Sequence, residues 1–66
     1  MKLSIEFDRE ADGRWIADVP SLPGVTTYGA LQVQAKTKVE ALALRVLADK
    51  IEHGELVLHA DGVAFL

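Results

Sequence analysis

The sequence predicts a small α+β domain of order β-β-β-α-β, an antiparallel meander with one helix packed on one face. Three observations lead there. Residues 3–7 and 15–19 alternate apolar and polar side chains with a period of two, as a strand with one buried face does. From Leu31 the apolar spacing changes to steps of three and four, the period of a helix lying on a core. A last apolar segment, Val63–Leu66, follows an Asp-Gly turn signal and offers one more strand.

The first strand places Leu3, Ile5 and Phe7 on one side and Lys2, Ser4, Glu6 and Asp8 on the other. Asp12-Gly13 then marks a turn. The second strand returns antiparallel, with Trp15, Ala17 and Val19 on the core side with Phe7, and Arg14, Ile16 and Asp18 opposite. Pro20 ends it, because proline has no N–H to give to the ladder. Pro23-Gly24 suits the centre of a type II turn, so Pro20 to Gly24 is expected to form a rigid crossover. The third strand is Val25 to Gly29, β-branched and aromatic.

The helix is predicted over residues 31–53, about 34 Å long at 1.5 Å per residue. Leu31, Ala35, Val39, Leu42 and Val46 form its inward stripe. Lys50 and His53 lie in the last turn, where the helix dipole favours positive charge, and Gly54 stands where a helix C-cap glycine belongs. The start lacks such chemistry. Ala30 and Leu31 carry no capping oxygen, and Thr27 is too far upstream. The first turn is therefore expected to rest on packing of Leu31.

A second apolar line, Val33, Leu44, Leu47 and Ile51, runs far round the helix. Leu44 lies about 180° from Ala35 at 100° per residue. One sheet cannot cover both sides. Leu44, Leu47 and Ile51, with part of the final segment, are therefore expected to line a subunit interface in a homodimer or higher homo-oligomer. Size points the same way. The 66 residues make one domain, 1–66, and contain no cysteine. A single core this small rarely supplies more than about 3–5 kcal/mol, and no disulfide can supplement it.

Charge and composition narrow the function. The net charge of -3 argues against a nucleic-acid-binding face, which is normally basic, and is compatible with a basic protein partner. No signal-peptide core and no run of about 18 apolar residues is present, so a cytoplasmic protein without membrane contact is expected. His53 and His59 lack metal-ligand spacing, so neither a metal nor a cofactor is predicted. Glu6, Asp8, Asp18 and Glu40 are the carboxylates on which a two-metal nuclease would draw. Alternation places Glu6 and Asp8 away from the core as solvated charge, so no catalytic residue and no enzyme activity are predicted. Glu6, Asp8, Glu10 and Asp18 are expected instead to meet a basic partner.

Gly13, Trp15, Ala17, Val19-Pro20, Leu22-Pro23-Gly24, Thr27, Gly29 and Ala35 form an ordered string. Together with the helix that follows, it resembles the HicB antitoxin family, in particular its N-terminal domain with a partial RNase H-like fold. The resemblance spans roughly residues 3–53. Where the family usually carries an Asp-Thr pair and a later Glu, this chain has Ala30, Leu31 and Gln34. The resemblance implies an antitoxin of a type II toxin-antitoxin system. Its partner would be a small basic RNA-cleaving toxin (HicA-like) with a double-stranded-RNA-binding-like fold, neutralised by steric masking. Family members that regulate transcription carry a further DNA-binding domain, and none is seen here, so no direct DNA binding is expected. A reading from a different class is an orphan oligomerisation or protein-interaction module with no toxin.

Overall fold

The computed structural model describes residues 1–66. It is an α+β fold with strands β1 (Lys2–Leu3), β2 (Glu6–Arg9), β3 (Trp15–Asp18), β4 (Thr26–Gly29) and β5 (Ala64–Phe65) and one helix, α1 (Gln32–Glu52). β2, β3 and β4 form the antiparallel meander, and α1 packs on it through β3 and β4.

The first strand is interrupted. Residues 2–3 leave the meander and pair parallel with β5, Lys2 opposite Ala64 and Leu3 opposite Phe65. The Ile5 N–H donates to Leu66 O at 3.2 Å. The reason lies across the sheet. Glu6 is opposite Asp18, so Ser4 in the same register would oppose Pro20, which cannot donate. The chain changes partners where the ladder would fail. The final strand thus joins β1 in a separate two-stranded sheet, rather than an edge of the meander.

Turn chemistry accounts for both meander connections. The hairpin closes with Glu10 N–H on Arg14 O (2.8 Å) and Gly13 N–H on Glu10 O (2.9 Å), leaving a three-residue loop. In that loop the Arg14 amide donates to Asp12 Oδ1 at 3.1 Å. This bond first, and then the guanidinium charge, holds the Asp12 carboxyl below its ordinary value. The crossover is two successive turns, with Leu22 N–H on Val19 O (2.9 Å) and Val25 N–H on Leu22 O (3.1 Å). Gly24 sits at φ 83, the conformation that a type II turn demands at its third residue and that glycine alone takes freely. The rigid loop delivers Val19 and Val25 side by side into the core, Val19 N–H donating to Val25 O at 3.0 Å.

The core is small-grained. Leu3, Ala17, Val19, Val25, Ala35, Val39, Ala43 and Leu47 are buried, and Phe7, Trp15, Leu22, Leu42, Val46, Leu56, Val63 and Phe65 pack around them half-covered. The buried helix row is Ala35, Val39, Ala43 and Leu47, a strict four-residue repeat, flanked by Leu42 and Val46. Leu47 is only 2% exposed. That corrects the expectation that it lines a subunit interface beside Leu44 and Ile51. A row at i, i+4 runs oblique to the helix axis, so the side facing the core turns along α1, and Leu56, Val63 and Phe65 from the returning segment help enclose it.

The helix start also differs from expectation. Leu31 is 58% exposed and does not hold the first turn by packing. The Gln34 side chain does that work. Its Oε1 accepts the Ala30 N–H (3.1 Å) and the Leu31 N–H (3.2 Å). This is the return half of a capping box, and the other half cannot form because leucine has no acceptor. Thr27 reaches the helix after all, its Oγ1 donating to Ala35 O at 2.8 Å. At the far end Glu55 N–H meets Lys50 O (2.8 Å) and Gly54 N–H meets Ile51 O (3.1 Å), a Schellman closure with Gly54 at φ 71.

The molecule is elongated, 40 × 20 × 15 Å, with a radius of gyration of 12.7 Å; a compact chain of this length would give about 11 Å. The 21-residue helix, about 31 Å long, overhangs four-residue strands of about 13 Å.

Candidate functional site

The meander presents one face to α1 and leaves the other open. Register decides the occupants of the open face. Glu6 is opposite Asp18, and Asp18 is opposite Thr26; Asp8 is opposite Ile16, and Ile16 is opposite Tyr28. Two cross-strand rows result, Glu6–Asp18–Thr26 and Asp8–Ile16–Tyr28. The guanidinium of Arg14 stacks over the Tyr28 ring at 5.1 Å. On the helix side Arg9 stacks over Trp15 at the same separation, 5.1 Å, which places Trp15 on the core side with Phe7 as its alternation requires.

Three of the four predicted partner-binding residues therefore share one surface. Glu6, Asp8 and Asp18 occupy one corner of the open face. Glu10 does not join them, since it lies in the hairpin connection and is half-buried. Like charges directly opposite on a sheet repel, yet Glu6 and Asp18 are such a pair, and none of the three carboxylates forms an ion pair. Arg14, the nearest arginine in sequence to Asp18, binds Asp12 instead, Nε to Oδ2 at 2.8 Å. The corner is thus an uncompensated acidic patch beside an apolar centre, Ile16 and the exposed Tyr28.

Alternation of the second strand places Ile16 on this face, but Tyr28 and Thr26 are not legible from that strand alone. Their membership follows from the pairing of β3 with β4, which sets Tyr28 opposite Ile16 and Thr26 opposite Asp18. No three His, Asp or Glu side chains converge to hold an ion. The one concavity is a shallow, open depression beside the helix start, lined by Val33, Gln34, Thr37 and Lys38; Lys38 Nζ there donates to Tyr28 O at 3.2 Å. No helix is long and apolar enough to cross a membrane.

A second exposed surface lies on the helix. Val33, Leu44 and Ile51 remain uncovered on its outer side. The final segment folds back on the core through Leu56, Val63 and Phe65, but it does not cover Leu44 or Ile51.

The residues of the family-like string have structural tasks at this site. Gly24 shapes the crossover, Thr27 ties β4 to α1, and Gly29 is buried where β4 meets the helix start. Compared with family models, curated proteins and solved structures, the chain matches none.

Proposed function

We propose that the chain is a HicB-like antitoxin, a cytoplasmic binding protein that neutralises a small basic RNA-cleaving toxin by masking its surface. The observation that carries this reading is the uncompensated carboxylate corner, Glu6, Asp8 and Asp18, beside Ile16 and Tyr28. A patch of like charge kept together on an open face is relieved when a basic partner binds, and complementary charge raises the association rate and excludes wrong partners. The ordered string from Gly13 to Ala35 supports the family reading. Activity here is masking, so it needs neither a cofactor nor a catalytic group.

The test is capture of a basic partner from the native host, followed by association kinetics against salt. The double variant Asp8→Lys, Asp18→Lys is expected to slow association about ten-fold or more at low ionic strength. Its circular dichroism should be unchanged, because like-charge repulsion is reduced. An unaltered rate and unaltered salt dependence would remove this face from the docking surface.

A second reading, an orphan oligomerisation module, is favoured by the uncovered Leu44 and Ile51. Both readings include self-association. In sedimentation at micromolar concentration, Leu44→Asp with Ile51→Asp is expected to give the monomer mass of 7.2 kDa, against a larger mass for the parent chain. Equal masses for the two would place the interface elsewhere.

A further inference from the structure

Residues 56–66 form a strap that packs on the core and whose hydrogen bonds to the rest of the chain all reach residues 1–5. Leu56, Val63 and Phe65 pack on the buried cluster. The strap's only regular pairing, however, is two residues of parallel strand, and parallel ladders are slightly less stable per residue than antiparallel ones. Ala64 N–H donates to Met1 O (2.9 Å) and Leu66 N–H to Leu3 O (2.8 Å). The strap leaves α1 through Gly54, whose φ of 71 belongs to the left-handed region. Eleven residues without regular structure then separate the helix from β5, a span of up to about 36 Å if extended.

We infer that this strap exchanges between two copies of the chain, the β5 of each adding to the β1 of the other. Exchange reproduces every strap contact, so the core gains and loses nothing inside each globule. What it adds lies at the hinge. Two exchanging copies place their Gly54 hinges side by side, and the uncovered apolar side chains flank that glycine: Ile51 before it, Val57 and Leu58 after it, with Val57 76% exposed. These become the new contact. Both edges of the meander are partly occupied. On β2 the Arg9 N–H is taken by Asp8 Oδ1 at 2.8 Å, and on β4 the Tyr28 carbonyl is taken by Lys38, both of which blunt an edge. β1 is the strand that already accepts a segment from far along the chain.

The inference rests on the self-association proposed above, and the test separates the two. Lys2 and Ala64 are register partners and both are exposed. The chain has no cysteine of its own, and adjacent strand positions suit disulfide geometry. The full chain carrying Lys2→Cys and Ala64→Cys is oxidised at micromolar concentration, with each single variant as a control for random cross-linking. The expected product on a non-reducing denaturing gel is a covalent dimer with no free thiol. A species that sediments as a dimer but denatures to disulfide-closed single chains would overturn strap exchange and leave self-association standing. A monomer in sedimentation would overturn both. The hinge is tested by Gly54→Ala. Alanine strains the left-handed hinge of the closed chain but not an extended one, so the dimer dissociation constant should fall roughly twenty-five-fold, about five-fold for each of the two hinges. An unchanged or higher constant would remove Gly54 as the hinge.

Discussion

Gly29→Ala is expected to remove much of the protein's stability and lower its melting temperature steeply. A Cβ at this position would lie 2.7 Å from Ala35 N, 2.9 Å from Gln34 Cβ and 3.1 Å from Leu31 O. Two of these are backbone atoms of the helix start and cannot rotate away. Relief would require α1 to move off β4, which breaks the Thr27–Ala35 bond and loosens the Gln34 cap. Overpacking of this kind costs about 1–3 kcal/mol and occasionally more, against a total of about 3–5 kcal/mol for a core of this size. Far-ultraviolet circular dichroism with thermal melting decides it. A melting temperature within two or three degrees of the parent would mean that β4 and α1 do not approach this closely.

Leu47→Ala is expected to cost about 2–4 kcal/mol, because it removes a buried side chain and opens a cavity in the core. The largest fully buried side chains are Val19, Val25 and Val39, and valine has little freedom to move into the space. Leu44→Ala, one turn away and exposed, is expected to cost under about 0.5 kcal/mol in the monomer. Urea midpoints for the two variants measure the difference. Equal losses would contradict the burial of the i, i+4 row.

The acidic character of the open face was legible because it needs only alternation and the knowledge that Phe7 and Ala17 face inward. Glu6, Asp8 and Asp18 follow at once. Glu10 belongs to the hairpin loop, where alternation gives no side, and its half-buried side chain stays apart from the three on the face. Ile16 follows from the same alternation, but its apolar partner Tyr28 required the β3–β4 register, which depends on the length and turn geometry of the crossover. Gln34 as a cap was missed for a related reason. Its role depends on where α1 starts, and the start is set by how Gly29 and Thr27 seat the helix, not by a capping oxygen at the first residue.

Local chemistry alone therefore determined the α+β class, the element order, the hairpin and crossover turns, and the side on which the carboxylates lie. Each rests on interactions within about five residues, where side-chain period and backbone dihedral preference are written directly in the chain. The tertiary structure decided the rest: the split of the first strand, the inward turn of Leu47, the close seat of Gly29 and the return of the final segment to β1. These depend on pairings between residues far apart in sequence and on the angle at which the helix crosses the sheet. A helical wheel assumes a core straight along one side of the helix, whereas this core follows an oblique row, and so the outer line lost Leu47 while Leu44 and Ile51 stayed exposed.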